Sequence, residues 1–258
     1  MDIIQTFYDS LASQYDKLFA DWQATTREQA EVLERIFARY GLDRSARILD
    51  CACGIGTQAI GLAALGYDVT ASDLSEGELA EAKKRAARAN APIRLMRADF
   101  RELSGVFSET FDVVIAMDNA LPHMLSGEDL DQAVESIAGR MGRKGIFVGS
   151  IRDYDALLEE KPPYAPPYIH ETADGRRVCF QTWNWSGDRY RLVQYIIEDG
   201  KSLSVSKFSC EYRATRREEL TGRFLAKGCS RVDWLFPVET GFYQPIFVAT
   251  KEETGESV

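Results

Sequence analysis

The turn at residues 50–58, Asp-Cys-Ala-Cys-Gly-Ile-Gly-Thr-Gln, constrains the fold of this chain more than any other stretch. An apolar run at 47–49 predicts a buried strand before it, and spaced apolar residues over 59–65 predict a helix after it. Gly54 and Gly56 allow backbone N–H groups to approach a ligand at the positive end of that helix. The stretch therefore predicts a strand, a nucleotide-binding turn and a helix.

Two classes of ligand suit such a turn. Residues 54–59 match the dinucleotide fingerprint G-x-G-x-x-A, which is a weak signal on its own. Asp50 precedes Gly54 by four residues, and the next predicted strand, 68–73, ends at Asp73. This arrangement resembles the first two motifs of class I S-adenosylmethionine-dependent methyltransferases, in which the second acidic residue binds the ribose hydroxyls. A nicotinamide or flavin enzyme and a purely structural tight turn remain the alternatives.

Strand and helix patterns alternate from residue 47 to residue 151. The run 111–117 is apolar on both faces, which is typical of a central parallel strand. This alternation predicts an α/β fold with a doubly wound, mostly parallel sheet and with ligands beyond the carboxyl ends of its strands. Strands are predicted over 47–49, 68–73, 93–97, 111–117 and 145–151, and helices over 26–40, 59–65, 75–89 and from 126 onward.

The pattern changes after Tyr154. Proline pairs at 162–163 and 166–167 interrupt any helix. Alternating runs with hairpin signals between them follow, and they predict a small antiparallel β insertion, residues 155–213, over the active site. The runs lie at 176–185, 189–198 and 202–212.

The remaining segments complete one domain. A capping box at 215–218 predicts a further helix, and the runs 231–236 and 243–250 predict a closing antiparallel β-hairpin. Residues 1–24 are rich in aromatic side chains, and we expect them to cover the site as an N-terminal lid. No Pro/Gly/Ser-rich linker divides the chain, so we expect residues 1–258 to form a single domain.

Composition limits the classes of partner. The chain has 258 residues, 45% apolar and 28% charged, with a formal net charge of −9, which disfavours a nucleic-acid partner. No apolar run approaches the roughly 20 residues that span a bilayer, and the N-terminus lacks the basic start of a secretory signal. Five cysteines without a C-x-x-C pair indicate reduced thiols. We expect a cytoplasmic protein with a small-molecule substrate, no metal and no membrane partner; composition gives no oligomeric state.

Four stretches narrow the resemblance to one group. They are residues 7–12 with Tyr15-Asp16, the turn 50–54, residues 118–123, and residues 150–154. Together they resemble the glycine N-methyltransferase and glycine/sarcosine N-methyltransferase group. The resemblance covers nearly the whole chain, and it implies a Rossmann-like methyltransferase fold that ends in an antiparallel hairpin.

This resemblance implies S-adenosylmethionine as the cofactor and S-adenosylhomocysteine as its product. The glycine-rich turn would pack on the methionine part, Asp73 would accept from the ribose hydroxyls, and Asp99 with Phe100 would hold the adenine. Met117 would supply backbone contact near the sulfonium. Arg27 would pair with the cofactor carboxylate or, alternatively, remain a solvated helix charge. The full set of implied cofactor residues is Arg27, Asp50, Ala52, Gly54, Gly56, Thr57, Asp73, Leu74, Asp99, Phe100 and Met117.

On the substrate side the resemblance points to Arg152, at the end of a predicted strand. A guanidinium binds a carboxylate through two parallel hydrogen bonds; alternatively, Arg152 forms a structural ion pair with Asp153 or Asp155. Asn119 is expected to position the amine, and His123 to pack behind the groups that touch the substrate or, alternatively, to act as a catalytic base. Tyrosine hydroxyls would line the pocket, from Tyr8, Tyr15 and Tyr243. Four aromatic residues of the insertion belong either to the sheet core or to a cage for a methylated ammonium: Trp183, Trp185, Tyr190 and Tyr195.

These residues predict methyl transfer to the amine of a small amino-acid-like substrate, of the glycine or sarcosine type, by in-line displacement. A neutral amine attacks a sulfonium-bound methyl group when it is held in line at about 3 Å. Two other functions remain open: methyl transfer to an oxygen or nitrogen of another small metabolite, and an NAD(P)-dependent oxidoreductase. Arg152 and Asn119 argue against a catalytically idle cofactor-binding protein.

Overall fold

The computed structural model describes residues 3–251, and within them seven strands form a mostly parallel central sheet. Its strands are β1 (Arg47–Asp50), β2 (Asp68–Asp73), β3 (Ile93–Arg97), β4 (Phe111–Ala116), β5 (Met141–Ser150), β10 (Arg231–Leu235) and β11 (Ile246–Thr250). Four further strands, β6 (Tyr164–Thr172), β7 (Gly175–Ser186), β8 (Arg189–Asp199) and β9 (Leu203–Arg213), form a separate antiparallel sheet.

The central sheet has the strand order β10-β11-β5-β4-β1-β2-β3. The strands from β1 to β5 are parallel, whereas β11 runs antiparallel to both β5 and β10. The predicted α/β fold with a doubly wound sheet and an antiparallel closing hairpin is therefore confirmed.

Helices flank the central sheet and connect its strands. They are α1 (Ile3–Leu11), α2 (Trp22–Arg39), α3 (Thr57–Ala64), α4 (Glu76–Ala89), α5 (Gly127–Arg140), α6 (Tyr154–Glu160), α7 (Arg217–Ala226) and α8 (Pro237–Thr240). Ser75 and Ser126 cap α4 and α5, because their hydroxyls accept from the backbone N–H groups of Glu78 and Asp129, each at 3.0 Å. Both helix starts were predicted from these serines.

Two predicted helix starts were wrong. Helix α2 begins at Trp22 rather than Thr26, because the Asp21 carboxylate accepts from the backbone N–H of Ala24 at 2.9 Å. The capping box at 215–218 does not form, since Arg216 occupies the N-cap of α7 without a side-chain bond. The Thr215 hydroxyl instead donates to the carbonyl of Arg213, at 3.4 Å.

Strand β6 was not predicted, because its proline pair reads as an interruption. The structure accommodates Pro166-Pro167 on the edge of the small sheet, where the register with β7 shifts between Ala165 and Tyr168. Proline is tolerated at such an edge bulge because no ladder hydrogen bond is needed there.

The inner face of the small sheet packs onto the body of the protein. Trp183, Tyr190, Leu192 and Cys210 are at most 7% exposed and belong to the same buried cluster as Phe147 of β5. All five cysteines are unpaired and buried. Within residues 3–251, no helix has the length and apolar character needed to span a membrane, and no group of three or more potential metal ligands was found.

Candidate active site

A cleft lies between the carboxyl ends of β1, β2 and β4 and the N-terminal segment. It contains about 820 Å³ of empty space, part of which is open to solvent. Sequence-predicted residues on its sheet side are Ala52, Gly54, Thr57, Asp73, Leu74, Asp99, Phe100 and Met117, and on its N-terminal side Tyr8 and Tyr15. The strand-end residues selected from the sequence therefore meet at one cavity.

The glycine-rich turn brings bare backbone to the cleft. Gly54 has φ +50° and Gly56 has φ +90°, which side-chain-bearing residues rarely adopt. A Cβ on Gly56 would lie 2.8 Å from Cδ1 of Ile60, so the isoleucine side chain would have to shift to accommodate one. Gly56 forms the N-cap of α3 and does not line the cleft itself, so its contribution is to shape the turn.

Two carboxylates hold the turn in place. Asp50 is 1% exposed, and its Oδ1 accepts from the backbone N–H of Ala52 at 3.3 Å. Burial raises the pKa of Asp50 to about 8. Asp73 accepts from the backbone N–H groups of Gly54 and Ser75, both at 2.9 Å. Burial raises the pKa of Asp73, while these hydrogen bonds lower it. Asp73 lines the cleft, whereas Asp50 supports the turn from within the core.

Asp99 is oriented by a neighbouring arginine that the sequence did not single out. Arg101 donates from Nε to Oδ1 of Asp99 at 3.1 Å and from Nη2 to Oδ2 at 2.6 Å, and it pairs through Nη1 with Asp129 at 3.3 Å. Such a bidentate pair fixes the plane of a carboxylate. Arg101 also lines the cleft.

The backbone after β4 adopts an unusual conformation. Asp118 and Asn119 have φ +54° and +70°, and their backbone N–H groups donate to Oγ and O of Ser150, at 2.8 Å and 3.0 Å. Asn and Asp enter this left-handed region more readily than other side-chain-bearing residues. Asn119 is buried outside the cleft lining, and its Oδ1 accepts from the backbone N–H of Arg152 at 3.1 Å and from the Tyr154 hydroxyl at 2.9 Å.

Asp118 itself lines the cleft, although sequence reasoning did not select it. The Tyr243 hydroxyl donates to its Oδ1 at 2.7 Å, and Nε2 of Gln58 donates to its Oδ2 at 2.9 Å. Burial raises the pKa of Asp118, and these two hydrogen bonds lower it. Tyr243 was predicted to line the pocket, but it is 60% exposed and does not line the cleft; it contacts the site through this hydrogen bond.

Arg152 lies among neutral partners. Its Nη1 donates to the Tyr190 hydroxyl at 2.6 Å, and its Nη2 donates to Oε1 of Gln181 at 3.2 Å. In the part of the chain that the structure describes, no acidic side chain pairs with it. Asp153 and Asp155 instead pair with Arg217, at 2.6 Å and 3.1 Å, so the alternative of a local ion pair with Arg152 is wrong.

The aromatic residues of the small sheet divide between its two faces. The Arg152 guanidinium lies 5.3 Å from the ring centroid of Trp183 and 5.2 Å from that of Tyr212. The Trp185 ring packs against Tyr190, on the same inner face. Tyr195 stacks on Phe180, on the opposite face of the sheet. The sequence did not decide which face of the sheet these residues occupy. The structure places Trp183, Trp185 and Tyr190 on the face that contacts Arg152.

A hydrogen-bonded aromatic group connects the cleft to Arg152. The Tyr8 hydroxyl lies 2.7 Å from Nε2 of His123, and both residues line the cleft. The His123 ring lies 4.2 Å from the ring of Tyr212, which contacts Arg152. Burial, together with the charge of Arg152, lowers the pKa of His123 to about 3. His123 is therefore neutral at physiological pH.

Comparisons with known proteins agree with this geometry. Residues 48–145 match the model of a methyltransferase domain. Glycine/sarcosine N-methyltransferases of Aphanothece halophytica and Parasynechococcus marenigrum are 28% and 29% identical over 154 and 155 residues, 60% of this chain in each case. The chain spans 57% and 54% of the lengths of these relatives.

Solved structures share the fold over most of the chain. An S-adenosylmethionine-dependent methyltransferase from Clostridium acetobutylicum has a TM-score of 0.74 and 17% identity, covering 95% of this chain and 99% of that one. An amino pentose methyltransferase from Micromonospora echinaspora, solved with S-adenosylmethionine, has a TM-score of 0.72 and 19% identity, covering 88% and 91%. The chain therefore has the fold of these methyltransferases, and residues 48–145 match a methyltransferase domain. The dinucleotide alternative gains no support from these matches.

The residues of the cleft fit S-adenosylmethionine, the ligand of the Micromonospora structure. The turn at Gly54 presents backbone without side chains, and Asp73 keeps lone pairs beyond those used by its two backbone donors. Asp99 and Phe100 lie together at the next strand end. These are the positions from which the methionine, ribose and adenine parts would be held.

Arg27 lies on the exposed face of α2 and does not line the cleft. Because α2 begins one turn earlier than predicted, Arg27 sits in its second turn rather than at its start. Trp22 occupies that start, and its Nε1 donates to the Thr57 hydroxyl at 3.0 Å. The structure brings Arg27 into no contact with the other proposed cofactor residues.

Proposed function

We propose that this protein transfers the methyl group of S-adenosylmethionine to the amine of a small amino-acid-like acceptor, of the glycine or sarcosine type. The observation that carries the acceptor class is Arg152, a guanidinium with only neutral partners, which does not line the donor cleft itself but is linked to it through Tyr212 and His123. Burying a charge without a counter-ion is unfavourable unless a ligand supplies one. A guanidinium fork binds a carboxylate through two parallel hydrogen bonds, which fixes its orientation.

The chain's own residues would act mainly by positioning. The bound cofactor supplies an already activated methyl group, so no strong general base is required. Arg152 would fix the acceptor carboxylate and so direct its amine towards the cleft. Tyr8 and Tyr15 line that cleft with neutral groups, and His123 is also uncharged. Neutral surroundings favour the unprotonated amine, because they offer an ammonium ion no compensating charge.

The N-terminal segment is proposed to act as a lid that excludes water. Oδ1 of Asp9 accepts from the Ser75 hydroxyl at 2.5 Å and from the backbone N–H of Gly77 at 3.0 Å, which fastens α1 to the start of α4. Lys17 pairs with Glu198 of the small sheet at 2.7 Å. The segment therefore joins the central sheet to the small sheet across the cleft.

The proposal is tested by incubating the protein with S-adenosylmethionine and single acceptors, then detecting methylated products by mass spectrometry. Glycine, sarcosine and dimethylglycine form one arm. Methylamine and dimethylamine, which lack the carboxylate, are the matched controls. Amino sugars form a third arm, because the structurally similar protein from Micromonospora echinaspora is an amino pentose methyltransferase. Methylation of the carboxylate-bearing amines in preference to the other arms is the expected result; preferential methylation of amino sugars or of simple amines would contradict the acceptor class.

A further inference from the structure

Asp118 faces the cleft without a cationic partner. Its two carboxylate oxygens are held by the Tyr243 hydroxyl and the Gln58 amide, both of which are neutral. Among the residues that the structure describes, no lysine, arginine or histidine pairs with it. A partly buried carboxylate in this state stabilises a positive charge that is held directly beside it.

The carboxylate is also rigidly placed. The left-handed backbone at Asp118 and Asn119 is fixed by two hydrogen bonds to Ser150 on the neighbouring strand β5. Gln58 is fixed in turn, because its Nε2 also donates to Oε1 of Gln29 at 2.6 Å. Strained backbone of this kind persists where the surrounding structure enforces it. Asp118 therefore presents a preorganised negative charge directly after Met117.

We propose that Asp118 makes the cleft selective for charge on the donor's sulfur, favouring S-adenosylmethionine over S-adenosylhomocysteine. This inference rests on the proposed donor function of the cleft, but not on the identity of the acceptor. During transfer the S–CH₃ bond breaks, its electron pair stays on sulfur, and a new N–CH₃ bond forms. The positive charge therefore moves from sulfur to the acceptor nitrogen, so Asp118 loses its attraction to the product sulfur and favours release.

The other carboxylates of the cleft provide a contrast. Asp73 and Asp99 are held by backbone N–H groups and by Arg101, respectively, and line the cleft where the ribose and adenine are proposed to bind. The ribose and adenine are identical in donor and product. Their contacts therefore contribute equally to both affinities, whereas a contact with the sulfonium does not.

The test is calorimetric binding of S-adenosylmethionine and of S-adenosylhomocysteine to the full chain, its Asp118→Asn variant and its Asp73→Asn variant. Asparagine tolerates φ +54° and keeps the shape of the carboxylate. We expect Asp118→Asn to reduce the ratio of donor affinity to product affinity at least about tenfold, as a charge interaction within several ångströms predicts. Asp73→Asn should weaken both ligands by a similar factor and leave that ratio unchanged.

Equal weakening of both ligands by Asp118→Asn, or no weakening, overturns the inference while leaving the proposed function intact. If the wild-type chain binds neither ligand, the proposed function and the inference both fail. Asp118→Gly provides a second variant if the asparagine variant does not fold, because glycine adopts positive φ without strain. The glycine variant should show the same loss of selectivity.

Discussion

The two walls of the active site carry opposite charges that do not neutralise each other. On the central-sheet wall, Asp73 and Asp118 are held by backbone N–H groups, an amide and a hydroxyl. On the small-sheet side, Arg152 is held by a hydroxyl, an amide and aromatic faces. In an ordinary core such charges would be paired with each other. We propose that two different ligands, the methyl donor and the acceptor, complete the two walls.

Next to each wall, burial shifts the pKa of one ionisable side chain towards its neutral form. Burial raises the pKa of Asp50, behind the acidic wall, to about 8. Burial and Arg152 lower the pKa of His123, beside the basic wall, to about 3. Each shift disfavours the charged form of the group concerned. Asp50 and His123 are therefore neutral near pH 7, which leaves the charges of the neighbouring groups available to ligands.

The largest expected effect is on acceptor binding, and a substitution of Arg152 should produce it without changing donor binding. Arg152→Lys keeps the positive charge but loses the forked geometry and the hydrogen bonds to Tyr190 and Gln181. We expect the KM for a carboxylate-bearing acceptor to rise by about 100-fold, with the calorimetric affinity for S-adenosylmethionine unchanged. Equal loss of donor affinity would show that Arg152 belongs to the donor wall or to the fold.

A second prediction concerns pH and His123. The pKa of His123 is about 3 in the folded chain and about 6.5 in the unfolded chain. Below pH 6.5 the unfolded chain therefore binds a proton that the folded chain does not, and the free energy of unfolding falls as pH falls towards 3. At pH 5 this loss amounts to about 2 kcal/mol.

The measurement compares urea unfolding of the wild type and His123→Gln at pH 7.5 and pH 5. Asp50 acts with the opposite sign, because its raised pKa makes the folded chain bind more protons between about pH 4 and pH 8. Only the difference between the two proteins isolates His123. The variant should lose about 2 kcal/mol less than the wild type on acidification; parallel losses would contradict the burial of a neutral histidine beside Arg152.

The smallest expected effect concerns the lid that joins the walls. Asp9→Asn weakens the acceptor that fastens α1 to the start of α4, an N-terminal contact of about 1 kcal/mol. We expect about a fivefold loss of donor affinity, through faster dissociation in stopped-flow measurements. Asp43→Asn makes the same substitution at an exposed carboxylate that also accepts from a serine hydroxyl and a backbone N–H, outside both the lid and the cleft lining, and should leave dissociation unchanged. Identical rates of donor dissociation for all three proteins would contradict a role of the N-terminal segment as a lid.

Much of the donor wall was predictable because it depends on short-range patterns. Apolar runs ending in Asp73, Asp99 or Met117 mark strand ends, and parallel strand ends meet at one edge of a sheet. Asp118 escaped selection because its position depends on two successive left-handed residues, which an Asp-Asn pair permits but does not require. Arg27 was misplaced because one capping residue, Asp21, moves the start of α2 by a turn.

The acceptor wall was less predictable because it depends on contacts between distant segments. Period-two alternation predicted strands β7 to β9 but not which face carries Trp183 or Tyr195. Arg152 stood between two acidic neighbours, and only tertiary packing shows that Arg217, 62 residues from Asp155, pairs with them instead. Such choices are made by packing rather than by local sequence.

The most direct test of the two-wall account is a crystal structure of the protein with S-adenosylhomocysteine and whichever acceptor is methylated most rapidly. The account predicts the ribose hydroxyls on Asp73, the adenine beside Asp99 and Phe100, and an acceptor carboxylate bound to the Arg152 guanidinium. An adenosyl group bound outside the glycine-rich turn, or an acceptor carboxylate away from Arg152, would contradict it.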